Sequence, residues 1–387
     1  MIVVIFHCLL ISNVFHNANY QQDYPNVYWK LLFITPLHTF FAGLPAVLLF
    51  FILSGFVLSL PFLKKIAPSY LNYIIKRFCR IYLPFIVIVF VSVILVKLFA
   101  TYEDIDWLSP IYNSRWDHPV TLQALISYVL MISYDMTNVN GVIWTLFHEM
   151  RISLFFPLLI YPIIKYNWKR AMVISIGSIG GVWIFFRVLI ALLDNKYIQL
   201  LLYEFSDTLY YTCFFIIGAF LAKYRHIICT RIRKFNTTTL TIVLLLSILL
   251  INYKWLYEIY NIDNFNFSGY YLIRDFIPSL GIVLLFSLVL AVPRLGRGLT
   301  KRPLIWLGKI SYSLCLVHIP IIMISSIYLS KLIPVSISVS LAPLLSLPVA
   351  ALTYRWIELP SIHLGKKLTF KMKNKESVVT KIIKKAG

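Results

Sequence analysis

The sequence contains few charged residues, and acidic residues are particularly scarce. Charged side chains make up 13 % of its 387 residues, whereas apolar side chains make up 60 %. Soluble domains have about 25 % charged and 45–50 % apolar residues, so an ordinary soluble fold and a disordered chain are both excluded. Apolar stretches recur along the whole chain at about 20 residues each, the length that crosses a bilayer. The composition therefore predicts an all-α, polytopic integral membrane protein.

Several familiar catalytic and binding motifs are also missing. The five cysteines are dispersed and include no C-x-x-C pair, so neither a disulfide framework nor a zinc site is indicated. No Walker loop, dinucleotide-binding glycine motif or G-x-S-x-G elbow is present. The longest stretch outside the apolar blocks, 100–142, leaves no room for a separate soluble domain. We therefore expect no metal, and we expect any activity to reside among the membrane helices.

The apolar stretches predict ten transmembrane helices. Their approximate bounds are 1–15, 39–62, 81–99, 143–164, 171–193, 199–222, 238–254, 271–292, 304–329 and 335–356. The first stretch is short, because fifteen helical residues span only about 22 Å. It also lacks the basic flank and the cleavage site of a signal peptide.

The segments between these helices alternate in charge. Most of the 36 basic residues lie in every second connection, namely 63–80, 165–170, 223–237, 292–303 and the tail after 365. The intervening connections are acidic or neutral, with Glu103, Asp104, Asp106, Asp117, Asp135, Glu258 and Asp263. Lysine and arginine collect on the cytoplasmic side of membrane proteins. The net charge of +21 therefore predicts cytoplasmic termini, with a membrane domain over 1–365 and a basic tail over 366–387, and does not indicate nucleic acid.

Ionisable side chains within the predicted helices are functional candidates, because they are costly in lipid. They are His7, His148, Glu149, Arg151, Arg187, Glu204, Asp207 and His318. A lone histidine is usually a hydrogen-bonded packing residue, but a neutral imidazole in lipid can also act as a base near neutral pH. No histidine stands three or four residues from His7, so metal ligation is not indicated. Glu149 and Arg151 can form a buried ion pair with each other or across helices.

Two arginines, Arg77 and Arg80, stand three residues apart just before the third predicted helix. They can be topology anchors at the cytoplasmic boundary. They can also clamp a phosphate, because the guanidinium fork matches phosphate oxygens. The two interpretations are compatible.

Six blocks, in order along nearly the whole chain, resemble the membrane acyltransferase family 3. This family includes O-acetyltransferases of O-antigen, capsule and exopolysaccharide. The blocks are Val3–His7, Gly43–Phe56, Tyr73–Pro84, Val142–Pro157, Gly308–His318 and Tyr354–Pro360. Each block is weak alone, but six in order make a specific signal.

The resemblance implies transfer of an acetyl or other acyl group from acyl-CoA to a hydroxyl of a cell-surface or lipid-linked glycan, such as lipopolysaccharide. His7 would be the base or the transient acyl carrier, and Glu149 would orient it. Arg77 and Arg80 would hold the phosphates of acetyl-CoA. The implied location is the cytoplasmic (inner) membrane, with the lipid bilayer as the surrounding partner.

The sequence departs from the family at one position. The family pairs its first-helix histidine with an arginine eleven residues earlier, which falls upstream of Met1. We expect that the native chain starts further upstream, and the alternative is a truncated, inactive paralogue. A glycan or lipid transporter is a further alternative. Aromatic residues in the outer connections can stack on a sugar or form an interfacial belt; they are Tyr24, Tyr28, Trp29, Trp107, Tyr112 and Trp116.

Overall fold

A computed structural model describes residues 1–64, 68–132, 136–255 and 272–370 of the chain. Asp135, Glu258, Asp263 and the tail beyond residue 370 lie outside these ranges. The described residues form helices joined by loops, with one isolated bridge between Ser12 and Leu108. This confirms the predicted all-α class.

The α-helices are numbered here in chain order over the described ranges. They are α1 (Ile2–Leu9), α2 (Asn13–Tyr20), α3 (Val27–Ile34), α4 (Gly43–Phe62), α5 (Tyr70–Phe99), α6 (Pro110–Asn113), α7 (Leu122–Val129), α8 (Met136–Asn140), α9 (Trp144–Lys165), α10 (Trp168–Leu192), α11 (Lys196–Ile232), α12 (Thr237–Ile251), α13 (Ile277–Ala291), α14 (Pro293–Leu299), α15 (Arg302–Ile327) and α16 (Val335–Thr353). Short 3-10 turns occupy Pro36–Phe40 and Leu329–Lys331, and π-helical turns occupy Leu272–Phe276 and Tyr354–Glu358.

Eight helices in the described ranges are long and apolar enough to cross a membrane. They include α4, α5, α9, α10 and α11, and three segments that extend the last long helices: Arg274–Ala291, Arg302–Lys331 and Val335–Phe370. The seventh predicted span corresponds to α12, an apolar helix of 15 residues. The first corresponds to α1, which has 8 residues. A multi-pass membrane protein is therefore established, while ten spans and the side of each terminus remain predictions.

The first predicted helix ends earlier than its apolar pattern suggests. Helix α1 stops at Leu9, and α2 starts after a break. The break is held by Ser109, whose side chain donates to the Leu10 carbonyl at 2.7 Å and whose backbone N–H donates to the Ile11 carbonyl at 2.8 Å. These carbonyls are satisfied by a distant loop, so they do not need the next helical turn.

Helix α5 begins eleven residues before its predicted start. Lysine and arginine are good helix formers, so the basic segment that precedes the apolar run joins the helix. Arg77 and Arg80 consequently lie within α5, on neighbouring positions of one face. They do not lie in a loop, as the sequence pattern suggested.

The alternate connections meet at common ends of the bundle. At one end, Lys254 donates to the Asn19 side chain at 2.7 Å, and the side chain of Asn252 lies 3.0 Å from His38. At the other end, the basic connections touch one another's helices, as when Arg233 donates to the Ala291 carbonyl at 3.2 Å. This grouping agrees with the alternation of charge along the chain.

The buried side chains form two large clusters. One lies among α1, α5, α15, α16 and the 100–142 connection, and the other lies among α4, α9, α11 and α13. Helix α1 packs against α4, α15 and α16, so it stands between the two clusters. The ionisable residues of α1, α5, α9 and α15 are thereby brought toward the centre of the bundle.

Two glycines allow α4 and α11 to touch backbone to backbone. A Cβ atom at Gly55 would overlap the carbonyl oxygen of Phe215, and one at Gly218 would overlap that of Ile52. Small residues at such crossings let membrane helices approach closely. By contrast, a Cβ atom at Gly180 on α10 would meet nothing within 4 Å.

We expect Gly55→Ala to lower the free energy of unfolding by about 1–3 kcal/mol, because the added methyl group must push two backbones apart. Gly180→Ala is the matched control and should be neutral or slightly stabilising, since alanine favours helix over glycine. Thermal unfolding of both variants in the same detergent measures the difference. Equal melting temperatures for Gly55→Ala and the wild type would contradict the described packing of α4 on α11.

Candidate active site

The histidines of α1 and α15 are in direct contact. Nε2 of His318 lies 3.2 Å from Nδ1 of His7, although the two residues are separated by 311 positions in sequence. His318 is fully buried, whereas His7 is partly accessible. Each ring also contacts a carbonyl oxygen of its own helix: His7 Nδ1 lies 2.9 Å from Val3 O, and His318 Nδ1 lies 3.0 Å from Leu314 O.

These contacts fix the tautomer of both neutral rings. A carbonyl oxygen can only accept, so Nδ1 must carry the hydrogen in His7 and in His318. Nε2 of His318 is then an acceptor and shares the Nδ1–H of His7 with Val3 O. Nε2 of His7 is left with a lone pair. That atom has the chemistry of a general base or a nucleophile.

The connection between α5 and α9 is hydrogen-bonded to both helices that carry the histidines. The Tyr112 hydroxyl donates to the His7 carbonyl at 2.8 Å. The Asn140 side-chain amide donates to the Leu316 carbonyl at 2.9 Å, one half-turn from His318. Tyr112 and Asn140 are both buried. The position of the histidine pair is therefore set by the loop as well as by the helices.

Arg77 and Glu149 form an ion pair between α5 and α9. Nη2 of Arg77 lies 2.9 Å from Oε1 of Glu149, and it also donates to the Ser153 hydroxyl at 2.8 Å. In the part of the chain that is described, Oε2 of Glu149 is buried without a hydrogen-bond partner. No contact joins Glu149 to His7 there; the side chain that holds His7 is His318.

Arg80 has a different environment from Arg77. It is exposed, one turn along the same face of α5. Its charge acts on Glu358, a buried carboxylate that accepts a hydrogen bond from Ser313 at 2.6 Å. Arg77 is therefore an internal cation with a fixed partner, and Arg80 is an accessible one.

His148 and Arg151, which also lie on α9, belong to a separate cluster. Nη1 of Arg151 lies 3.2 Å from a carboxylate oxygen of Glu204 on α11, and His148 lies 2.9 Å from the Thr208 hydroxyl. Nη2 of Arg151 donates to the Met131 carbonyl at 2.6 Å. Glu149 and Arg151 thus pair with other helices and not with each other. The partners of Arg151 fix the packing of α9 on α11.

One functional candidate was missed by the sequence analysis. Arg115 lies in the 100–142 connection, where a charged residue attracts no attention, yet it is only 8 % exposed. Its charge acts on both His7 and His318. An isolated cation in a predominantly acidic connection was the only available signal.

A cavity of about 300 Å³ opens beside this connection, at the end of the bundle predicted to lie outside. A smaller pocket adjoins it and reaches Tyr112 and Arg115. The large cavity is lined by Thr101, Glu103, Asp104, Ile105, Trp107, Ile327, Ser330 and Lys331. The smaller pocket is linked to α1 through Tyr112, which lines it and donates to the His7 carbonyl.

The acyltransferase 3 family model matches residues 1–355, which include the histidine pair and the Arg77–Glu149 pair. The chain belongs to this acyltransferase family. No curated protein and no solved structure matches the chain. The family resemblance predicted from the sequence blocks is confirmed, and with it a membrane acyltransferase.

The described residues of this acyltransferase contain no group of three or more histidine, cysteine, aspartate or glutamate side chains placed to hold a metal ion. The histidine pair provides two imidazoles but no third ligand. The pair does provide a neutral base with a fixed tautomer. Such a base can accept and return the proton that moves during acyl transfer.

Proposed function

We propose that this acyltransferase moves an acetyl or other acyl group from acyl-CoA to a hydroxyl of a cell-surface or lipid-linked glycan in the cytoplasmic membrane. The observation that carries the proposal is the free Nε2 of His7, held by His318 at the centre of a helical bundle. A hydroxyl is a poor nucleophile until a base removes its proton. Nε2 of His7 is the base, or it carries the acyl group between donor and acceptor.

The donor is proposed to approach from the end of α5 that carries Arg77 and Arg80. Acyl-CoA is rich in phosphate, and arginine forms paired, charge-assisted hydrogen bonds with phosphate oxygens. Arg80 is exposed and available for this contact. Glu149 is proposed to hold Arg77 in place, through the contact of its Oε1 atom with Nη2 of Arg77.

The acceptor is proposed to approach from the opposite end, through the cavity at Trp107. Tryptophan offers a flat apolar face for a sugar ring, and the carboxylates of Glu103 and Asp104 accept hydrogen bonds from sugar hydroxyls. The donor and acceptor would then meet at His7 from opposite ends. With the donor and the acceptor at opposite ends, the acyl group would cross the membrane plane within the protein.

The experiment that tests this function uses purified protein in liposomes with labelled acetyl-CoA and a lipid-linked glycan. We expect label to appear on the glycan only when acetyl-CoA is present. A glycan or lipid transporter would instead move the glycan across the bilayer without incorporating label. Movement of the glycan across the bilayer without incorporation of label would contradict the proposal. So would a folded protein that neither transfers label to the glycan nor moves the glycan.

We expect Arg80→Gln to raise the KM for acyl-CoA about tenfold or more, with little change in kcat. Loss of one charge-assisted hydrogen bond costs about 1.5–3 kcal/mol, and each 1.4 kcal/mol is a factor of ten in affinity. Arg170→Gln is the control, because Arg170 is an exposed cation near the start of α10. An unchanged KM for Arg80→Gln would leave Arg80 as a topology anchor only.

A further inference from the structure

Arg115 is a buried cation with unused hydrogen-bonding capacity. Over the described ranges, its Nε and Nη1 atoms are buried and have no hydrogen-bond partner, and none of the ion pairs found there includes Arg115. A buried charge without a partner costs several kcal/mol, so such a group rarely persists for structural reasons. Burial lowers the pKa of Arg115, but from such a high starting value that the guanidinium remains protonated at neutral pH.

The surrounding residues hold this guanidinium in a defined position. It lies over the ring of Tyr112, 5.0 Å from the ring centre. The guanidinium packs directly on Gly141, where a Cβ atom would overlap its Nη1 atom. Trp116, which follows Arg115 in the sequence, has a φ of 56°, a strained conformation for a bulky residue. Its ring N–H donates to the Val139 carbonyl at 3.3 Å. Strained backbone of this kind is concentrated at functional sites.

The site faces the histidine pair. Tyr112, which supports the guanidinium, also donates to the His7 carbonyl at 2.8 Å. The charge of Arg115 acts on both imidazoles. A fixed cation beside a base that must accept a proton would hinder catalysis, unless negative charge develops between them in the same step.

The approach to Arg115 argues against a negatively charged substrate. The adjoining pocket also contains Glu103 and Asp117, whose carboxylates would repel an acidic sugar or a phosphate. Transient negative charge on a reacting atom is the remaining partner for the guanidinium. In acyl transfer, that charge appears on the former carbonyl oxygen.

We propose that Arg115 is a catalytic residue that donates hydrogen bonds to the oxyanion of the tetrahedral intermediate. The proposal rests on the function proposed above. The acceptor oxygen bonds to the thioester carbon while its proton passes to Nε2 of His7, and the carbonyl electron pair moves to the oxygen that faces Arg115. The electron pair on that oxygen then re-forms the carbonyl double bond, and the carbon–sulfur bond breaks. The proton on His7 passes to the departing sulfur. The products are an ester and free thiol.

The test compares kcat, KM and thermal stability in Arg115→Met and Arg115→Lys. We expect Arg115→Met to lower kcat about 10²- to 10³-fold, the effect of removing one oxyanion donor, with both KM values within about twofold of the wild type. Its melting temperature should be equal or higher, because an unpartnered buried charge is removed. Arg115→Lys should keep more activity than Arg115→Met, since one donor is retained.

Arg187→Met is the matched control. Arg187 also lies over aromatic rings, at 5.0 Å from the ring centre of Trp183, but it belongs to α10, away from the histidine pair. Its loss should leave kcat unchanged. The proposal is overturned if Arg115→Met keeps kcat within threefold of the wild type, or if only the KM for the acceptor rises. Absence of acyl transfer by the wild type would instead overturn the proposed function.

Discussion

His7→Ala is expected to lower the rate of acyl transfer at least about 100-fold while the protein stays in the membrane at its normal abundance. General acid–base catalysis contributes about 10²- to 10⁴-fold, and a role as acyl carrier would make the loss larger. The side chain of His7 is partly accessible, its Nδ1 atom contacts Val3 O and His318, and its ring lies edge-to-face with Phe6. Its removal should therefore cost little stability, because helix α1 keeps its apolar contacts.

His363→Ala is the control for this experiment. His363 is an exposed histidine in the C-terminal part of the segment Val335–Phe370, beyond α16. It should keep the wild-type rate. If His7→Ala transfers label as fast as His363→Ala, Nε2 of His7 is not the base and the assignment is wrong.

Replacement of His318 is also expected to lower the rate of acyl transfer strongly, by about 100-fold for His318→Leu. A catalytic imidazole left in the wrong tautomer can lose about 10⁴-fold in rate. The loss should be smaller here, because Val3 O still accepts from Nδ1 of His7 when His318 is absent. The kinetic effect should appear in kcat, since His318 contacts His7 and is fully buried.

The conservative variant His318→Gln separates positioning from packing. The glutamine oxygen can accept the Nδ1–H of His7, whereas leucine fills the same space without an acceptor. We expect His318→Gln to recover about tenfold of the rate lost in His318→Leu, with similar melting temperatures for both variants. Equal rates for the two variants would show that His318 acts by packing alone.

The sequence predicted the all-α class, and eight of its predicted spans are helices long and apolar enough to cross a membrane, because lipid requires long apolar helices. Helix ends were harder to predict. The early end of α1 depends on Ser109, a residue about 100 positions away that satisfies the Leu10 and Ile11 carbonyls. The early start of α5 depends on basic residues that continue a helix beyond its apolar part.

The sequence predicted most residues of the site, but it did not predict which of them contact one another. His7, Glu149 and His318 stand out because ionisable groups are costly in lipid. Their partners depend on how helices far apart in sequence pack, so the contacts from His318 to His7 and from Arg77 to Glu149 could not be foreseen. Arg115 was missed because its importance comes from burial, and charged residues in connections are usually solvated.

The most direct test of the account is the transfer of labelled acetyl from acetyl-CoA to a lipid-linked glycan, measured for the wild type and for His7→Ala in matched liposomes. The account predicts labelled glycan with the wild type and at least about 100-fold slower labelling with the variant. Equal labelling by the two proteins would contradict the central role of the His7–His318 pair.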